Sequence, residues 1–171
     1  NVVISFVPAA WTPVCSDQWP GYNMAESLFT QHDAVLLGIT VDNIPTLYSW
    51  TKEMCSDPAG LWFPVLSDFY PHGKVAEQYG VLRPEGVSER ALLVIDKQGI
   101  IRYIDVHDIN TRPRLDELAQ ALEKLSQTSE YSSRKELSMR PCDQSIKNTL
   151  QLVEEMLTVA DENGGKLPNR V

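Results

Sequence analysis

The sequence predicts an α/β fold: a central mixed sheet flanked by helices, with a helical extension at the carboxyl end. Three observations lead there. Apolar runs alternate with helix-forming stretches along residues 1–125. The last two runs are separated only by Lys97-Gln98-Gly99, a hairpin turn, and an amphipathic stretch follows them.

Val2 to Val7, Ala34 to Val41 and Arg90 to Asp96 are nearly continuous apolar runs, the pattern of strands covered on both faces. Ile100 to Val106 is the strand returning from the hairpin turn. Helices are expected over Pro13 to Gln31, Pro45 to Cys55, Gly73 to Tyr79 and Pro113 to Leu125. Pro20-Gly21 should kink the first of these. The last carries Leu115, Leu118, Ala119, Leu122 and Leu125 on one stripe with a period near 3.6. Residues 1–125 therefore read as one domain. From 126 the character changes: Ser126-Gln127-Thr128-Ser129 and Ser132-Ser133 are polar and aperiodic, a linker running to about residue 145. Ile146, Leu150, Val153, Leu157 and Ala160 then recur at helical spacing, widened by Leu152, Met156 and Val159 and ended by Asn163-Gly164-Gly165. Residues 126–171 thus form a linker and a C-terminal amphipathic helix. So wide an apolar face must be buried on its own domain or on a partner subunit.

At 171 residues the chain is long enough for a proper core, and 43% hydrophobic and 22% charged residues are ordinary values for a soluble protein. A net charge of −8 argues against a nucleic-acid partner. No apolar run approaches the roughly 20 residues that span a bilayer, so no membrane partner is expected. Three cysteines, Cys15, Cys55 and Cys142, are too few and too far apart for a disulfide framework. They suit reduced thiols in a cytoplasmic protein. His32, His72 and His107 are scattered, and none lies within four residues of a cysteine, so no metal site and no cofactor is expected.

The chemistry concentrates in Pro8-Ala9-Ala10-Trp11-Thr12-Pro13-Val14-Cys15. Thr12 is a good N-cap, and Pro13 suits the first helical position, where no N–H is needed. Cys15 then falls in the first turn, among backbone N–H groups without intrahelical acceptors. The partial positive charge of a helix start favours a thiolate over a thiol, which makes Cys15 a candidate nucleophile. An arginine folded against it would add to that effect, with donors fixed in one plane where lysine's are not. The Thr12 hydroxyl can accept and donate hydrogen bonds at once.

Pro8-x-x-x-Thr12-x-x-Cys15 resembles the active-site signature of peroxiredoxins of the AhpC/TSA type, the thiol-dependent peroxidases. Arg90-Ala91-Leu92-Leu93-Val94-Ile95-Asp96 resembles the segment in which that family places an active-site arginine before a strand. Gly38-Ile39-Thr40-Val41-Asp42, Phe63-Pro64-Val65-Leu66-Ser67-Asp68 and Tyr79-Gly80-Val81 occur between them in the family's order. The resemblance covers roughly residues 2 to 125 and implies a thioredoxin-like fold. It implies a cysteine sulfenic acid intermediate on Cys15, with Thr12 and Arg90 activating and orienting a hydrogen or organic hydroperoxide. Pro8 would shield the sulfur, and Gln18 would steady the arginine. Trp11 stands where relatives commonly have Phe. Peroxiredoxins carry strands and a turn before the point where this sequence opens, so that N-terminal segment is expected to be absent. A thiol reductant such as thioredoxin or glutaredoxin, and a homodimer or larger homo-oligomer, are further implications.

A sulfenic acid must be reduced, and three routes stay open. Pro20 occupies the position where one subtype has its resolving cysteine, which excludes that subtype. Cys142, beside Arg140 in the polar extension, and Cys55, near a helix end, are candidate resolving thiols. An external thiol acting directly on Cys15 is the third route. A disulfide oxidoreductase would need Cys-x-x-Cys, and Cys15-Ser16-Asp17-Gln18 lacks the second sulfur. The rival from another class is a redox sensor or interaction protein on the same scaffold, with little turnover.

Overall fold

The computed structural model describes residues 1–54 and 60–132. In chain order its elements are β1 (Val2–Phe6), α1 (Pro13–Met24), α2 (Glu26–Gln31), β2 (Val35–Thr40) and α3 (Ile44–Met54). Then come β3 (Val65–Ser67), α4 (Lys74–Gln78), β4 (Arg90–Ile95), β5 (Ile101–His107) and α5 (Leu115–Ser132). The strands form a five-stranded sheet in the order β3-β2-β1-β4-β5. β1, β2 and β3 run parallel, while β4 is antiparallel to β1 and β5 to β4, which is the mixed sheet expected.

The interior strands read as apolar runs because both faces are covered. One core cluster gathers Val3, Val7, Leu92 and Val94 with Cys15 and Trp19 of α1, Trp50 of α3 and Leu118 and Leu122 of α5. A second, on the other strand alternation, joins Ile4, Phe6, Ala91, Leu93 and Ile95 to Ala76 of α4. β5 lies at the sheet edge and alternates, with Arg102, Ile104 and Val106 exposed. The hairpin turn is as expected. Asp96 N–H donates to Ile100 O at 2.9 Å, and Gly99 takes the positive φ of 78° that the reversal requires.

Three elements depart from the sequence reading. β3 was not among the predicted strands, because three residues carry too little periodicity; pairing with β2 through Gly38↔Val65 and Ile39↔Leu66 decides it. The first helix continues through Pro20 and Gly21, and the interruption comes at Ala25, whose N–H turns to Tyr22 O at 3.1 Å. Proline removes one donor, and the flanking Trp19 and Tyr22 are buried, so packing holds the helix across that gap. α5 starts at Leu115 and runs to Ser132 instead of stopping at Leu125. The first residues read as linker are therefore helical. Ser126 there donates to Leu122 O at 3.3 Å. The predicted helix from Ile146, and the rest of the extension, lie outside the described residues.

The Asp68 carboxylate, buried beneath α4, accepts from the amides of Val75 and Ala76 at 3.0 and 2.9 Å. It does from a distance what a capping residue does at a helix start, so Asp68→Ala should cost about 1–2 kcal/mol in urea unfolding. Ser5 and Gly38 are direct neighbours across β1 and β2. They form a notch that Trp19 fills. A methyl on Gly38 would sit 2.8 Å from Trp19 Cζ2. The indole cannot withdraw, since Trp50 and Phe63 back it at ring-centre distances of 4.9 and 6.2 Å. Gly38→Ala should therefore destabilise by about 1–3 kcal/mol in the same assay, the range of an overpacked core.

Candidate active site

β1 ends at Phe6, and the chain turns through Val7 to Thr12 into α1, at the carboxyl end of the parallel strands where open α/β sheets place their sites. Two anchors shape this turn. Asp42, just past β2, accepts from Ala10 N–H and from Thr40 Oγ1, each at 2.7 Å. The Thr12 hydroxyl donates to Ala9 O at 3.0 Å. Between them Trp11 is held at φ 64°, a left-handed conformation costly for a bulky side chain and maintained by its bonded neighbours.

Thr12 stands at the N-cap with extended dihedrals, φ −85° and ψ 145°, but its side chain makes no capping bond. That corrects the sequence expectation: the hydroxyl proton is committed to Ala9 O. The oxygen keeps its lone pairs, so Thr12 can receive a hydrogen bond from a ligand but has no second proton to offer. The first i→i−4 bond of the helix is Ser16 N–H to Thr12 O at 2.9 Å. The amides of Val14 and Cys15 precede it, and the positive end of the helix dipole is centred on the cysteine. Trp50 fastens the same turn from α3, its Nε1 donating to Ser16 Oγ at 2.9 Å.

Arg90, 75 residues after Cys15, reaches the site because β4 is antiparallel to β1. Phe6 pairs with Ala91, which sets Arg90 level with the chain just leaving β1. Ser88 Oγ, donating to Val7 O at 2.9 Å, ties the two strands at this point. Arg90 is 2% exposed, and each nitrogen of its guanidinium has an acceptor. Nη1 donates to Gln18 Oε1 at 2.6 Å, and Nε and Nη2 donate to Ile109 O at 3.1 and 2.8 Å. Nη2 also reaches Cys15 Sγ at 3.5 Å. Of these acceptors only the sulfur can carry a negative charge. The guanidinium is thus a buried, permanently charged donor set directly beside that sulfur. Glu89, the residue most apt to draw Arg90 into a surface pair, bonds instead to Arg83 at 2.9 Å.

Gln18 is itself buried, and its Nε2 donates to Ser5 Oγ and Tyr22 Oη, each at 3.2 Å. Burial pushes the Tyr22 phenol up to about 12, so it stays neutral beside the guanidinium. Pro8 is buried in the turn. The structure thus brings Cys15, Thr12, Arg90, Gln18 and Pro8 to one end of the sheet. Cys55 and Cys142 lie outside the described residues. Among the described residues no group of three or more His, Cys, Asp or Glu side chains could hold a metal. His107 Nδ1 lies 3.2 Å from Asp105 Oδ2 at the end of β5, both side chains partly buried.

The profile of the AhpC/TSA family matches residues 1–104. The chain belongs to the AhpC/TSA family. Alkyl hydroperoxide reductase E of Mycobacterium tuberculosis is 35% identical over 107 residues, covering 62% of this chain and 67% of that protein. Peroxiredoxin TSA1-B of Candida albicans is 30% identical over 158 residues, covering 90% of this chain and 79% of its relative. The structure of reduced Plasmodium vivax 2-Cys peroxiredoxin superposes with a TM-score of 0.68 at 26% identity, over 77% of this chain and 68% of that one. The fold is accordingly the thioredoxin-like one the sequence predicts.

Sequence reasoning left several contributors to this AhpC/TSA site unnamed. The Asp42 carboxylate was visible only as the end of a family-like segment, and Ser88 lay in no segment singled out. Ser5, Tyr22 and Trp50 carry no motif and are buried in β1, α1 and α3. Ile109 contributes a backbone carbonyl, which no side-chain pattern can reveal.

Proposed function

We propose that Cys15 is the peroxidatic nucleophile of this thiol-dependent peroxidase, with Arg90 and Thr12 activating and orienting the peroxide. The observation that carries the reading is the Arg90 Nη2 to Cys15 Sγ distance of 3.5 Å at the opening of a helix. The thiolate pair forms an S–O bond to the distal oxygen of a hydroperoxide. The O–O bond breaks, and its electrons leave on the proximal oxygen, which takes a proton to become water or an alcohol. Cys15 is oxidised to sulfenic acid and the peroxide is reduced. Thr12 accepts a hydrogen bond from the terminal O–H, while the guanidinium lies where charge builds on the leaving oxygen, its donors preorganised by Gln18 and Ile109. Pro8 limits water around the sulfur, and Gln18 holds Arg90.

The family implies a peroxide substrate and a thiol reductant; thioredoxin or glutaredoxin is our choice for the reductant. Mass spectrometry under non-reducing conditions after one equivalent of peroxide tests the scheme. A single added oxygen on Cys15, or a disulfide from Cys15 to Cys142, Cys55 or a second chain, is expected. Oxygen found elsewhere, with Cys15 still reduced, would overturn it.

We also propose self-association as a homodimer or larger assembly. It is supported by β5, an edge strand that exposes Ile104 and Val106, an apolar edge that soluble proteins tend to cover. Val106→Lys should shift sedimentation toward the monomer, and an unchanged assembly would point to another surface. No helix among the described residues is long and apolar enough to cross a membrane. A cytoplasmic setting remains part of this proposal.

A further inference from the structure

Ser5 is a fully buried hydroxyl in the middle of β1, where every neighbouring side chain from Val3 to Val7 is apolar. We propose that Ser5 is a positioning residue that fixes Arg90 through Gln18; this rests on the assignment of Cys15 and Arg90 above.

The argument follows from donor and acceptor counts. Arg90 has only donors to offer, so Gln18 must present its carbonyl oxygen to Nη1, at 2.6 Å. The amide nitrogen then faces away with two protons to place. One goes to Ser5 Oγ and one to Tyr22 Oη, each at 3.2 Å. Ser5 Oγ also accepts from Trp19 Nε1 at 3.2 Å, which fills both of its lone pairs with the side chains that directly follow one another on α1. Gln18 therefore has one amide orientation that satisfies all its partners, and it is the orientation that holds the guanidinium toward Cys15. Without the Ser5 oxygen, one amide proton and the Trp19 N–H are left unpaired inside the core. Gln18 is then free to rotate away from Arg90. A hydroxyl at this point is not needed to fill space, since Gly38 beside it opens the notch that Trp19 occupies.

The experiment is a double-mutant cycle on the second-order rate of Cys15 oxidation, measured by quenched-flow mass spectrometry on folded protein. Ser5→Ala should slow oxidation about 3- to 10-fold and Gln18→Leu about 10-fold, while the double variant is no slower than Gln18→Leu alone, since the two act as one unit. Ser5→Ala combined with Tyr22→Phe, which strips both acceptors from the amide, should fall to the Gln18→Leu rate. A purely structural serine would lower the melting temperature and leave the rate of the folded enzyme within about twofold, and that result overturns the proposal. Losses that multiply in the Ser5/Gln18 double variant overturn it as well. Should Ser5→Ala not fold, Ser5→Cys, of similar shape but a weak acceptor, takes its place in the cycle. Cys15→Ser separates the two levels: an inert Cys15→Ser with multiplying losses sinks the Ser5 proposal alone. Peroxide oxidation that persists in Cys15→Ser sinks the site assignment beneath it.

Discussion

Cys15→Ser should eliminate peroxide turnover while leaving the fold intact. The replacement keeps the side chain's shape in a site with no exposed surface, and the serine hydroxyl can still accept from Arg90. It is not ionised near neutral pH and is a poor nucleophile toward an O–O bond, so the covalent route through the sulfenic acid is gone. Enzymes stripped of their nucleophile fall by about a million-fold, which here means the uncatalysed background. Peroxide consumption with excess dithiothreitol reads the effect directly. Turnover above about a hundredth of the parent rate would move the chemistry to another thiol. Cys142→Ser and Cys55→Ser supply the complement: if either resolves Cys15, its loss spares the first turnover and traps the sulfenic acid.

Arg90→Met should slow Cys15 oxidation about 100- to 1,000-fold, the loss produced by removing a preorganised donor from developing negative charge. Its effect on stability should be small, because two large terms oppose each other. Burying a guanidinium costs several kcal/mol, and methionine relieves that. Against this, Gln18 Oε1 and Ile109 O lose their donor, at about 1–3 kcal/mol each. The melting temperature should therefore move by only a few degrees while the rate collapses. A large drop in stability with an intact rate would reassign Arg90 to architecture. Arg90→Lys should also fail, slowing oxidation about 10- to 100-fold. An ammonium keeps the charge, but it cannot span Ile109 O, Gln18 Oε1 and Cys15 Sγ with one planar fork.

The pattern of what was legible follows from how each signal is encoded. The interior strands were readable because burial on both faces leaves an unbroken apolar run. The hairpin was readable because Gly99 must adopt positive φ. β3 was not, since its pairing with β2 lies in a partner strand and not in its own three residues. The break in the first helix fell at Ala25 although Pro20 is the stronger local breaker, because buried Trp19 and Tyr22 outweigh one missing hydrogen bond. Thr12 was placed correctly at the helix start, yet its hydroxyl serves the turn before the helix.

From the order of residues alone came the candidate nucleophile, the helix that begins just before it, and a distant arginine singled out by family resemblance. Those features are local, or depend on segments whose composition is distinctive. Only the folded chain decided that the guanidinium meets the sulfur, because that depends on the antiparallel register of β1 and β4. Only the fold brought Ser5, Tyr22, Asp42 and the Ile109 carbonyl to the site. Their contribution is an oxygen acceptor each, and such groups acquire chemical meaning from their neighbours in space.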